Sequence, residues 1–367
     1  MHLHIVSFTV PWPADYGGVI DVFYRIKALS ECGVRIHLHC YEYGRRPARE
    51  LDELCEEVLY YPRETGMRHQ LDITPYIVAS RRSAKLVARL QQDEYPILIE
   101  GLHDCDVLER LYDGTRRIVV RAHNVEHDYY RSLSRAERCL WKKAFFCVEA
   151  RKLARYEAVL TKASSVLAVT EKDAEHFRKI GCHKVHVLPP SHGHKQVSSK
   201  LGFGDYVLYQ GNLSVPENIG AVRFLEQHLI SKSQYAFVIA GRNPVPEVRD
   251  MLTPHGNATL IADPSDERMC GLIANAHVNV LVTEQATGAK LKLVNALYEG
   301  RHCLVNPAMV EGTPLGQACM VAESPVAMLE SLNRLMATEF SESYLSERKR
   351  VLHESELAVD VNNILFK

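Results

Sequence analysis

Short runs of Val, Ile and Leu alternate with amphipathic segments of helical period along this chain, and the alternation starts afresh after a break at residues 189–204. Before the break, strand-type runs are expected at Leu3–Thr9, Val34–Tyr41, Tyr95–Glu100, Arg117–Ala122, Ser165–Thr170 and Lys184–Leu188. After it they are expected at Asp205–Gln210, Ala236–Ala240, Ala258–Ile261, Val278–Val282 and His302–Asn306. Helical spacing falls between them, as at Val19–Cys32, Arg82–Gln92, twice between Arg131 and Thr161, and at Ala221–His228, Val245–Leu252 and Glu267–Asn275. Apolar strands separated by helices require a mostly parallel sheet covered on both faces, hence an α/β doubly wound architecture. The break, Pro189-Pro190-Ser191-His192-Gly193-His194 and the polar stretch to Gly204, reads as a linker. At 367 residues the chain suits two such domains, here 1–195 and 196–345, followed by a helical segment 346–367. Ligands of such sheets bind beyond the carboxyl ends of the strands, so a cleft between two facing halves is the expected site.

Charge and cysteine usage remove several classes. Lys and Arg number 44 against 45 Asp and Glu, a net charge of −1, so no global field favours nucleic acid. Met1–Val10 reads as a short apolar strand without the cationic lead-in of a signal peptide, and no run reaches the roughly 20 apolar residues of a transmembrane segment. The ten cysteines sit singly, without a Cys-x-x-Cys pair, which fits a reducing cytoplasm. The basic run Arg81, Arg82, Lys85 and Arg89 reads first as a solvated helix face, and second as a peripheral contact with an anionic membrane surface.

The clearest motif is Thr287-Gly288-Ala289-Lys290-Leu291-Lys292-Leu293-Val294-Asn295-Ala296-Leu297-Tyr298-Glu299-Gly300, directly behind the apolar run His277–Val282. A glycine turn with lysines where a helix begins can hold an anion. Free N–H groups point outward there, the helix dipole is positive, and the lysines add full charges. A diphosphate with a sugar or nucleoside attached suits it; an ordinary strand–turn–helix with two solvated lysines uses the same residues. Positions two apart do not share a helix face, so Lys290 and Lys292 converge only if Lys290 precedes the helix.

Other strand exits add candidates. Gly17 and Gly18, in Pro11–Val19, allow close backbone approach, but the Gly-x-Gly-x-x-Gly spacing of a nicotinamide site is absent. His123 ends a strand in Arg121–His127, where an imidazole can exchange a proton near neutral pH. His103 and His127 read as structural. His183, His186, His192 and His194 span a strand and the linker, so no metal site is expected among them. Gly211-Asn212 and Gly241-Arg242 are glycine-first turns, and the Arg242 guanidinium can bind phosphate bidentately.

Taken in order, these pieces resemble the GT-B glycosyltransferases, and within them family 4 of the retaining, nucleotide-sugar-dependent enzymes. The matching residues are Tyr16-Gly17-Gly18, His123-Asn124, Glu171-Lys172-Asp173, Gly211-Asn212-Leu213 with Pro216-Glu217-Asn218, and Gly288 through Lys290, Lys292 and Ala296 to Gly300. The resemblance implies two Rossmann-like domains, with the acceptor bound mainly by the first and a nucleotide diphosphate sugar mainly by the second. It also implies that the final helix, at Tyr344–Leu352 or Val359–Phe366, crosses back to the first domain.

The implied activity is transfer of a sugar to a carbohydrate or lipid-linked acceptor hydroxyl in polysaccharide or glycoconjugate synthesis, without an essential metal or other cofactor. His123 would serve catalysis, while Gly17, Gly18, Gly211, Asn212, Arg242, Gly288, Lys290, Lys292 and Asn295 would meet the donor. The sequence departs from the family at four places. Asn212 and Glu217 stand where Arg and Lys are usual, and Thr287 and Asn295 where two glutamates are usual. Those departures keep a non-catalytic subunit of a polysaccharide assembly system open, and a GT-B epimerase or phosphorylase would share the fold.

Overall fold

The computed structural model describes residues 1–15, 17–137, 139–284, 290–356 and 361–367. They form two compact units, one of 1–193 and 361–367, the other of 194–284 and 290–356.

The first unit is a parallel sheet of seven strands: β1 (His2–Ser7), β2 (Arg35–Glu42), β3 (Glu57–Pro62), β4 (Ile97–Glu100), β5 (Ile118–Ala122), β6 (Ser165–Ala168) and β7 (Val185–Val187). Their order is β3-β2-β1-β4-β5-β6-β7, so the winding reverses between β1 and β4. Side chains alternate across it: Ile97 and Ile99 join one apolar layer and Leu98 the opposite one. The helix α1 (Gly17–Glu31) buries Val19, Val22, Phe23, Ile26 and Leu29 at the i, i+3, i+4 spacing of a core face. Beyond β5 come α2 (Glu126–Ala136) and α3 (Leu140–Tyr156), then a 3₁₀ turn, Glu157–Lys162. Next is α4 (Glu171–Lys179), whose Thr170 N-cap side chain accepts from the Asp173 amide.

The second unit repeats the plan with six strands: β8 (Val207–Gln210), β9 (Phe237–Gly241), β10 (Ala258–Ala262), β11 (Val278–Leu281), β12 (His302–Val305) and β13 (Met320–Val321). Their order, β10-β9-β8-β11-β12-β13, reverses between β8 and β11. The principal helices are α5 (Pro216–His228), α6 (Leu291–Glu299), α7 (Pro325–Met336) and α8 (Glu342–Glu356). Val207, Tyr209 and Ile239 pack in one layer, Leu208 and Ala240 in the other.

Three features differ from the sequence expectations. The strands β3 and β13 were not anticipated: both lie at sheet edges, the first ends on Pro62 and the second spans two residues. The stretch expected as one helical segment, 346–367, is divided between α8 in the second unit and α9 (Val361–Phe366) in the first. Leu365 of α9 is buried in the first unit's core, and the Ile364 carbonyl accepts from Arg117 Nη1 at 2.7 Å. The basic run is also not a free face. Arg81 is buried and donates to the Phe8 and Ile77 carbonyls, Arg82 pairs with Asp72 and Asp106, and Arg89 with Asp93. Only Lys85 of the four is exposed. Among the described residues, no helix is long and apolar enough to cross a membrane.

Candidate functional site

In the second unit the exits of β8 and β9 are tied together. Leu213 N donates to the Arg242 carbonyl at 2.8 Å, and a Cβ on Gly241 would lie 1.8 Å from the Gly211 carbonyl oxygen, so no larger residue fits there. Asn212 holds the turn: its Oδ1 accepts from Ser214 N and Oγ at 3.1 and 2.8 Å, and its carbonyl from Asn218 Nδ2 at 2.9 Å. Its amide therefore shapes the loop. Asn218, in the first turn of α5, accepts through Oδ1 from Tyr209 Oη at 3.0 Å and from Lys292 Nζ at 3.1 Å.

Lys292 thus reaches back from α6 to the β8 exit. Its ammonium lies 5.5 Å from the Tyr209 ring centre, and its carbonyl accepts from Gln210 Nε2 at 3.1 Å. Burial lowers its pKa below the usual lysine value, against an opposing pull from Glu217. Lys290 is the N-cap residue of α6, with its carbonyl accepting from Leu293 N at 2.8 Å. It precedes the helix, the condition under which two lysines two positions apart can serve one ligand. Gly288 and Thr287 lie outside the described residues.

One turn further, Asn295 Oδ1 accepts from His194 Nε2 at 2.9 Å. The His194 ring stacks on Tyr298 with centres 4.9 Å apart, and its Nδ1 is 3.5 Å from Glu299 Oε1. Arg242 follows β9 and pairs with Asp266 at 2.9 Å, a contact whose carboxylate is largely exposed. Beyond β11, Thr283 hydrogen-bonds Glu217 through its hydroxyl and exchanges backbone bonds with the Asn306 amide at 3.1 and 2.7 Å. These three residues line a cavity of about 230 Å³ whose far wall includes Ser324, Pro325 and Met328 at the start of α7.

In the first unit Gly17 opens α1, and a Cβ on Gly18 would meet the Phe8 ring at 3.0 Å. The Phe8 ring in turn meets His123 edge-on, at 5.6 Å between centres. His123 stands just past β5 within a buried charge network. Its Nε2 is 3.0 Å from Glu100 Oε2 and its Nδ1 3.4 Å from Asp21 Oδ2. Arg25 bridges Asp21 and Glu100 at 2.5 and 2.9 Å, and Arg121 pairs with Asp21 at 3.0 Å. Arg121 also donates to the Ala168 and Leu188 carbonyls, and Ser191 N to Asp21 Oδ1. Burial would raise both carboxyl pKa values, but Arg121 and Arg25 at Asp21, and Arg25 and His123 at Glu100, hold them below the usual range. The His123 ring is thereby fixed at the carboxyl end of the sheet, beside its order reversal.

No protein-family profile matches the sequence. A curated relative, an uncharacterized 44.6 kDa protein in the cps region of Klebsiella pneumoniae, is 25% identical over 342 residues, 88% of this chain and 87% of the relative. Among solved structures, TarM superposes with a TM-score of 0.68 at 9% identity, over 100% of this chain and 99% of its own. The lipopolysaccharide outer core galactosyltransferase WaaB gives 0.64 at 12% identity, over 100% and 99%. Anabaena HepE, in complex with UDP and glucose, gives 0.64 at 12%, over 99% and 97%.

The chain has the GT-B fold.

Within that fold the structure gathers Gly211, Asn212 and Lys292 around Asn218, sets Lys290 at the helix start, and leaves the Arg242 side chain on Asp266. Sequence reading named Asn218 within a matching motif and His194 within the linker without giving either a role at the site, and it missed Tyr209, Asp21, Arg25 and Glu100. For the buried network a signal existed. Glu100 and Arg121 interrupt otherwise apolar strands, and Asp21 and Arg25 sit four apart on the apolar face of α1. A charge in such a place is stable only when paired.

Proposed function

We propose that this chain is a retaining glycosyltransferase that moves a hexosyl group from a nucleoside-diphosphate sugar to an acceptor hydroxyl. The observation that carries this reading is the position of the two lysines. Lys290 caps α6 and Lys292 lies in its first turn, bonded back to the β8 exit where the sheet order reverses. Helix-start N–H groups, the dipole and two ammonium groups together suit a diphosphate. As the glycosidic bond breaks, charge grows on that leaving group, and cations already aimed at it lower the barrier without reorganising. Gly211, Gly17 and Gly18 supply close backbone approach, Asn295 a ribose contact, and His123 a group facing the transferred sugar or the acceptor.

The likeness to HepE, with its bound UDP, supports a uridine nucleotide as the first donor to try. The cps-region relative supports a role in surface polysaccharide synthesis. In this reading no metal takes part, so turnover persists in excess chelator. Leu140 and Trp141, 78% and 88% exposed at the start of α3 beside exposed Lys142 and Lys143, support peripheral contact with an anionic membrane face.

The test is a thermal-shift screen of nucleoside diphosphates and their sugars, followed by product analysis with the best binder, since only ligands of the folded state raise Tm. Stabilisation by one base with release of its diphosphate supports transfer; no stabilisation by any of them removes the reading. A second reading, a sugar-nucleotide-binding subunit without catalysis, is favoured by one contact. Where the family carries a glutamate, Asn295 already accepts from His194. Tight donor binding without turnover on any acceptor selects it.

A further inference from the structure

Away from the lysines, in the first unit, three segments bring together a side-chain cluster that the transferase reading does not use. His127 is the second residue of α2, Glu157 opens the 3₁₀ turn after α3, and His176 lies in α4. His127 Nδ1 is 2.9 and 2.8 Å from the two Glu157 oxygens, and His176 Nε2 is 2.9 Å from Oε2. The three candidate ligand atoms lie within 4.8 Å of one another, the one such group among the described residues.

We propose that His127, Glu157 and His176 form a site for a divalent transition metal, zinc in the first instance, that pins α2, the 3₁₀ turn and α4 together. Two imidazoles and one carboxylate are a zinc donor set with one position left for water. Zinc–ligand bonds of about 2.0–2.1 Å in a tetrahedron put ligand atoms about 3.4 Å apart, so the present contacts need open by only about half an ångström. Outer contacts support the same reading. His127 Nε2 lies 3.4 Å from Asp128 Oδ1, the carboxylate–imidazole arrangement that orients a ligating histidine and leaves Nδ1 for the metal. The His127 amide donates to Glu157 Oε1 at 3.2 Å, fixing the carboxylate and leaving Oε2 facing His176.

Local charge also favours a cation. Asp128 and Asp173 add negative potential at His176. Entry is open on one side, because the His176 side chain is 27% exposed while those of His127 and Glu157 are 9% and 2%. His127 follows His123 by four residues, so a metal here would also anchor the helix that begins behind the proposed sugar-facing loop.

Calorimetric titration of zinc chloride into the chelator-stripped full chain tests this, with cobalt absorption as a report on ligand geometry. The expected result is one site per chain with tetrahedral cobalt bands and a zinc-dependent rise in Tm. In His176→Ala the affinity falls at least about tenfold, and in Glu157→Gln it falls likewise. Because His176 is partly exposed, its alanine variant should fold, and circular dichroism checks that it has. Equal zinc affinity in wild type and folded His176→Ala would assign binding to scattered surface histidines and overturn the proposal. Absence of a one-to-one site in the wild type would do the same, leaving a histidine–glutamate–histidine ion pair.

Discussion

At the exits of β4 and β5 the first unit buries Asp21, Arg25, Glu100, Arg121 and His123 against one another, whereas at the exits of β8 and β11 the second unit half-buries Lys292 against an amide and a tyrosine ring. In the first place every charge has an opposite charge within reach, and the result is a rigid support for one imidazole. In the second the cation's hydrogen-bond partner is neutral, and burial works against its charge. A site that keeps a cation under such conditions gains free energy when an anion arrives. Under the proposed function, the difference separates a framework from a receptor.

Deleting one charge from each place should give the largest contrast. Arg121→Met leaves Asp21 buried with one cation fewer and should cost about 3–5 kcal/mol in urea unfolding. Lys292→Met should change stability by about 1 kcal/mol or less, because it removes a charge that burial disfavours. Equal losses in the two variants would erase the distinction. His123→Ala sharpens it from the catalytic side. Turnover should fall about a hundredfold or more while donor affinity stays, and unchanged turnover would reduce His123 to part of the framework.

A fourth variant tests the first unit's tolerance of an unmatched charge. Asp104 is buried, neither of its oxygens has a hydrogen-bond partner among the described residues, and Arg81 is 3.9 Å away. Burial pushes its pKa up to about 8, against the pull of Arg81. In the fold the carboxyl therefore stays protonated up to about 8, while in the unfolded chain it ionises near its ordinary value. Its contribution to stability is full at low pH, shrinks as pH rises towards 8 and is constant above. Asp104→Asn should flatten that decline in a Tm series from pH 5 to 9; a parallel series would contradict the assignment. The smallest effect is expected at Arg242→Ala, about 0.2–1 kcal/mol, since an exposed pair with Asp266 contributes little. Unchanged donor affinity in that variant would remove Arg242 from the diphosphate set.

The two regions also differ in how far the chain's letters revealed them. The runs Ile97–Glu100 and Val278–Leu281 are buried throughout and apolar apart from Glu100 and Asn279, so their strands were legible, as were the lysines where α6 begins. Edge strands were not: Glu57–Pro62 mixes tyrosines with a terminal proline and is only partly buried. Contacts made by tertiary closure were hidden as well. Nothing local to Asn218 says that Tyr209 and Lys292 will meet on its amide oxygen, and His194 gave no sign that it would stack on Tyr298 and occupy Asn295. Such pairings depend on the register of several elements at once.

The most direct test is calorimetric titration of UDP and other nucleoside diphosphates into the wild-type chain and into folded Lys290→Ala and Lys292→Met. A single site in the wild type, weakened at least about tenfold in each variant with Tm nearly unchanged, is the predicted result, since a charge-assisted contact contributes about 1.5–3 kcal/mol. Wild-type affinity retained in both variants would contradict it.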